Sequence, residues 1–169
     1  LESLYFTGEF GTRWENRRPV ITKLPVSLEL GDWTEAGFPC YSGSVTYMAE
    51  IDPKISQEES LFLKLPEWEG GLTKIRINGK SVGNIAWPPY EVEISNALGQ
   101  GRNRLEIEVV SSRRNLLGPL HLTEKYPYWT GPGQFETSGA EWTDDYVKVP
   151  YGLMESPVLS VRKLVEEGK

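Results

Sequence analysis

Residues 72–111 read LTKIRINGKSVGNIAWPPYEVEISNALGQGRNRLEIEVVS, and three strand-like runs stand in them with their punctuation intact. Ile75 and Ile77 alternate with Lys74 and Arg76, and Asn78-Gly79 follows. Asn and Gly tolerate the positive φ values of a type I′ turn, so the spacing predicts a β-hairpin turning at Asn78-Gly79. The returning strand covers 81–86 and stops at Trp87-Pro88-Pro89-Tyr90, because two prolines offer no backbone donors to a central ladder. Val92 and Ile94 then alternate with Glu91 and Glu93. Residues 95–98 read as a capped turn and 99–101 as a loop. Leu105, Ile107 and Val109 alternate with Arg104, Glu106 and Glu108 as a half-buried strand. The fold class that follows is all-β, an antiparallel β-sandwich, with helix under about 10%, well below the globular average.

Outward from this stretch the same reading continues. Residues 4–10 (LYFTGEF) predict a short strand, 13–18 a charged connection, and 21–30, broken by Pro25, an edge strand. Residues 31–39 are a loop by composition. Val45, Tyr47, Ala49 and Ile51 alternate with Ser44, Thr46, Met48 and Glu50 up to Asp52-Pro53, and Leu61, Leu63 and Leu65 form the next strand before Pro66. Past Ser111 the periodicity ends. Residues 126–142 are rich in Tyr, Trp, Gly and Pro, and an irregular segment of that length is usually functional or pinned by large side chains. Short strands are expected at 146–149 and 157–164, and 166–169 read as a frayed tail. No repeat or convincing boundary interrupts the chain, so it reads as a single domain over 1–169 with an aromatic-rich extension at about 113–152.

Composition bounds the function. The chain has 169 residues and a net charge of −6; without a basic stripe, phosphate neutralisation has no footing, and nucleic acid is not an expected partner. No apolar run approaches the ~20 residues of a membrane helix, so no membrane partner is expected, and nothing reads as a signal peptide. The chain opens on Leu rather than Met, which points to a processed protein or a piece of a longer one. A single cysteine, Cys40, excludes an internal disulfide and leaves the compartment open. Cys40 lies between Pro39 and Tyr41 with no nucleophile signature, and His121 is the sole histidine, so neither a Cys–His pair nor a four-ligand zinc site is read here.

The phrase INGKSVGNIAWPPYEVEISNALGQGRNRLEIEVV resembles the sugar-binding jelly-roll domain of family 2 glycoside hydrolases and the galactose-binding-like domains of rhamnosidase-type enzymes. The ordered elements are Asn78-Gly79-Lys80, Val82-Gly83, the aromatic run 87–90, the turn 94–98 and Gly101-Arg102-Asn103-Arg104-Leu105. GDWTEAGFPCYSGSVTYMAEI looks like the entry to such a domain, and NLLGPLH, WTGPGQF and WTDDYVKVPYGL resemble a recurrent ending in large glycoside hydrolases. The aromatic extension departs from the plain family 2 domain, and Leu120-His121 departs from the His-rich run expected there. The resemblance implies a jelly-roll, galactose-binding-domain-like sandwich whose parent keeps catalysis in a separate barrel. It also implies a bacterial exported setting, extracellular or periplasmic.

Aromatic rings are the best functional candidates, since sugars stack their C–H faces on Trp and Tyr while hydroxyls reach neighbouring polar groups. The candidate carbohydrate contacts are Trp87 and Tyr90 beside the Pro-Pro turn and Trp129 and Trp142 in the long segment, with Asp32 and Glu141 as hydroxyl partners. Trp87 and Tyr90 read rather as contacts, Trp129 and Trp142 rather as packing; were the four to converge, they would form one aromatic surface at an end of the sandwich. The acids Glu141, Asp144 and Asp145 read first as solvated charge. Calcium favours carboxylate and carbonyl oxygens in loops, and galactose-binding-like domains often carry it, so Asp144 and Asp145 are the candidate ligands; no other cofactor is expected. No acid pair is recognisable as a hydrolytic couple.

The expected function is an ancillary, non-catalytic domain of a larger carbohydrate-active enzyme, binding carbohydrate or completing the active site, with glycan and the parent catalytic domain as partners. A structural domain packed on the barrel without sugar contact is the alternative, and an independent glycosidase the third reading.

Overall fold

A computed structural model describes residues 4–163. It is nearly all β, with 37% strand and 7% helix. The residues divide into two compact units, Leu1–Ser42 with Arg113–Pro150, and Gly43–Ser112 with Tyr151–Lys169.

The second unit is the antiparallel sandwich. One sheet has four strands, in the order β3 (Ser44–Ile51), β9 (Asn103–Val110), β6 (Leu72–Ile77), β7 (Lys80–Ile85). The other has three, β11 (Val158–Lys163), β4 (Glu59–Lys64), β8 (Glu91–Glu93). A two-stranded pair joins β10 (Gly152–Leu153) to β5 (Trp68–Glu69). Period-2 alternation decides the faces: Ile75, Ile77, Leu105, Ile107 and Val109 are buried from the first sheet, and Leu61 and Leu63 from the second, with Leu65 buried just past the end of β4. Outward on the first sheet, Lys74 and Arg76 both bind the Glu108 carboxylate, at 3.1 and 2.9 Å. The hairpin turns at Asn78-Gly79, with φ of 52° and 77° and Ile77 facing Lys80. Gly83 has a packing role, since a Cβ there would lie 2.9 Å from a Val92 methyl.

The first unit carries what the alternation did not announce. Its strands are β1 (Gly11–Glu15) and β2 (Arg18–Thr22), an antiparallel hairpin. Residues 4–10 form no strand, and the segment expected to be a charged connection is this hairpin and its turn. Asn16 and Arg17 both take positive φ, 48° and 64°. That is a type I′ turn without glycine, and its side-chain partners lie far away in sequence: Arg17 reaches Asp145 at 2.7 Å and Asp144 at 3.1 Å. The edge strand expected over 21–30 ends at Thr22, and 146–149 form no strand. Instead, buried Asn115 does the work of a ladder partner there: its Nδ2 donates to the Val149 carbonyl and its Oδ1 accepts from the Val149 N–H, both at 2.8 Å. The expected closing strand at 157–164 is seen as β11; Leu164 and the tail at 166–169 lie outside the described residues.

Candidate functional site

The aromatic segment owes its order to short antiparallel pairing. Leu122 and Trp142 form an isolated bridge. The Thr123 N–H donates to the Glu141 carbonyl at 2.9 Å, Thr143 N–H to the His121 carbonyl at 2.8 Å, and Val147 N–H to the Leu120 carbonyl at 2.7 Å. Between these arms the chain makes a 3-10 turn, Pro132–Phe135. Gln134 closes that turn by accepting the Gly131 N–H on its Oε1 at 2.7 Å. Gly139, at φ of 116°, lets the chain swing back toward Trp142.

Rings fill the unit behind the pairing. Trp14 stacks on Tyr146 at 4.0 Å, Tyr146 lies 4.5 Å from His121, and His121 stacks on Trp142 at 4.5 Å and 25°. The imidazole is oriented as well as stacked. Its Nδ1 lies 2.9 Å from the Thr143 carbonyl oxygen; a carbonyl only accepts, so Nδ1 carries the proton and Nε2 is left for another partner.

In front of this stack lies a cleft of about 100 Å³. His121, Gln134, Glu136, Ser138, Glu141 and Trp142 line it, and no lysine or arginine is among the described residues that do. Two exposed acidic residues, a serine, a glutamine and a tryptophan thus line one small space. Carboxylates accept hydrogen bonds strongly, so the cleft suits a ligand rich in hydroxyl or amine donors with a C–H face for the ring.

The candidate residues from the sequence are divided between the units. Glu141 and Trp142 come together in the cleft. Trp129, in the same unit, folds its ring onto Gly131, where an added Cβ would come into hard overlap with it, and remains 62% exposed. Asp32 closes a turn, accepting the Thr34 N–H and hydroxyl, both at 2.8 Å. Neither Trp129 nor Asp32 is among the residues lining the cleft. Trp87 and Tyr90 belong to the sandwich unit. Trp87 is 77% exposed beside a cis Pro88–Pro89 bond, and Tyr90 sits edge-on to Trp68 at 5.8 Å.

Asp144 and Asp145 do not form an oxygen cage. Both are held by Arg17, and Asp144 also accepts from the Trp142 indole at 3.3 Å. Among the described residues no three His, Cys, Asp or Glu side chains are grouped to hold a metal. Burial pushes the Cys40 thiol up, opposed by nearby Lys148, which leaves it unsuited to nucleophilic work.

Sequence reasoning gave Gln134, Glu136 and Ser138 no role and His121 no binding role. One signal was available: residues 123–143 contain no Leu, Ile, Val or Met but hold Tyr126, Tyr128, Trp129, Phe135 and Trp142. A segment ordered by a buried core would carry aliphatic side chains.

No family model and no curated protein matches the sequence. Solved structures do. A rhamnosidase from Novosphingobium sp. PP1Y aligns over 95% of this chain and 16% of its own, with 23% identity and a TM-score of 0.57. A GH2 β-galacturonidase from Eisenbergiella tayi aligns over 93% of this chain and 23% of its own, with 20% identity and a TM-score of 0.46. The first likeness establishes a shared fold; the second is too loose to add an argument. The chain spans a small fraction of either protein. Among the described residues no helix is long and apolar enough to cross a membrane.

Proposed function

We propose that this chain is an ancillary, non-catalytic domain of a larger glycoside hydrolase, of the galactose-binding-like jelly-roll kind, that contacts carbohydrate beside the catalytic domain of its parent. The observation that carries the reading is the coverage: 95% of this chain aligns with only 16% of a rhamnosidase, as expected of an accessory region in a long enzyme. The chemistry agrees. The single cysteine is a half-buried thiol with a raised pKa, and the imidazole is packed between rings. An exported setting, extracellular or periplasmic, belongs to the same proposal.

The rival structural role has its own support in the Trp14–Tyr146–His121–Trp142 stack, which would order the segment without any ligand. Two assays on the 169-residue chain separate the readings. Incubation with aryl glycosides should give no turnover, and a soluble glycan panel should give weak, saturable binding. Mutation-sensitive hydrolysis would refute the non-catalytic reading. Absence of binding across the panel would leave the structural role.

A further inference from the structure

The cleft in front of the ring stack includes Glu141 and Trp142 of the contacts anticipated in the sequence, and its polarity has a sign. Glu136 and Glu141 line it, no described lysine or arginine does, and His121 spends one ring nitrogen on the Thr143 carbonyl. A sugar hydroxyl or ammonium donates to such carboxylates, whereas a ligand carboxylate meets two like charges with no cation to offset them. We propose that this cleft is a subsite for neutral or amino pyranoses that discriminates against uronic acids, with Trp142 as the stacking ring, Glu136 and Glu141 as hydroxyl or ammonium acceptors, and Ser138 and Gln134 as lateral partners. The proposal rests on the carbohydrate-contact reading above and places the contact on residues 121–142.

The size of the cleft fits this role. About 100 Å³ admits one edge of a pyranose ring rather than an oligosaccharide, so one sugar residue is gripped and the remainder stays in solvent. Both carboxylates are exposed, so their effect on a charged ligand is screened by salt and largest at low ionic strength. With one ring contact and a few hydrogen bonds, affinity falls on the order of millimolar.

The test is saturation-transfer NMR and titration of the full 169-residue chain at low salt. The probes are methyl glucopyranoside, methyl rhamnopyranoside, glucosamine and glucuronate, with the W142A, E136Q/E141Q and W87A variants, each checked for an unchanged circular dichroism spectrum. The expected result is binding of at least one neutral or amino sugar, with glucuronate about tenfold weaker and the gap closing in salt. E136Q/E141Q, near-isosteric and hence safe for folding, should erase the glucuronate penalty. W142A should abolish the neutral response. Equal binding of glucuronate and neutral sugars by the unmodified chain would overturn the proposal. A response lost in W87A but retained in W142A would also overturn it, while leaving carbohydrate contact standing at another place. Silence from every probe would remove both this subsite and carbohydrate contact itself.

Discussion

The carboxamide of Asn103 accepts the Asn78 side-chain amide at 2.8 Å, joining the hairpin turn to the start of β9. Asn103 is 2% exposed and fully used: its Oδ1 also accepts the Gly99 N–H at 2.6 Å, and its Nδ2 donates to the Gly101 and Gly99 carbonyls at 2.8 and 3.2 Å. Asn78 Oδ1 completes the circuit by accepting the Arg104 N–H at 2.9 Å. Asn103→Ala deletes a buried carboxamide and its four part-buried hydrogen bonds and should cost roughly 3 kcal/mol. Asn103→Asp should be no better, because a carboxylate oxygen would face two carbonyls. Urea unfolding of both variants checks this; a loss under about 1 kcal/mol would count against the network.

Gly83 and Val92 bring the two sheets of the sandwich unit together. A Cβ at 83 would lie 2.9 Å from the Val92 methyl, a contact that forces a local shift. Gly83→Ala should lower stability by about 1–3 kcal/mol, as overpacking does, and Val92→Ala should recover part of the loss in the double variant. Strictly additive losses would show that the two positions do not touch.

The Asn16-Arg17 turn makes a subtler prediction. Arg17 sits in the left-handed region at φ of 64°, which disfavours side chains by about 1 kcal/mol or more. Its ion pairs with Asp144 and Asp145 are mostly exposed, so each contributes at most about 1 kcal/mol. Arg17→Ala loses the pairs and keeps the strain; Arg17→Gly loses both. The glycine variant should therefore be more stable than the alanine variant by about 1 kcal/mol in thermal unfolding. The reverse order would show that the backbone there is not strained.

Glu108 gives the pH dependence. Its carboxyl is held below the usual range, first by the hydrogen bond from Lys74, against the opposing effect of desolvation, and then by Ser44 and Arg76. The folded state thus binds this proton more weakly than the unfolded one. The stabilisation is complete above the unfolded carboxylate pKa of about 4.3 and is lost as pH falls through the lower folded value. The stability gap between the unmodified chain and Glu108→Gln should shrink on acidification from pH 7 to about pH 3. A gap that does not move with pH would contradict the assignment.

The sandwich was legible because its signals are local. Asn78-Gly79 marks its hairpin within two residues, and the alternation of Leu105, Ile107 and Val109 marks a face within five. The first unit was not legible, because its determinants are long-range. The Asn16-Arg17 turn lacks glycine and has its partners at 144 and 145, while Asn115 mimics a strand for Val149 from a short helical turn, Arg114–Leu117. The cleft shows both cases. Glu141 and Trp142 were singled out for their chemistry, but Glu136 and Gln134 join them in the cleft only because the chain doubles back through Gly139. Proximity created by that reversal leaves no periodic trace.

The central claim is that this chain contacts carbohydrate without cleaving it. The most direct test is a ¹H–¹⁵N titration of the chain with neutral methyl glycosides, in which six tryptophan indoles report location and the sugar anomeric protons report hydrolysis. The account predicts saturable shifts at the Trp142 indole and the Glu141 amide, millimolar in midpoint, with anomeric signals unchanged over the titration. Released free sugar that depends on a single side chain of this chain, or spectra indifferent to every glycoside, would contradict it.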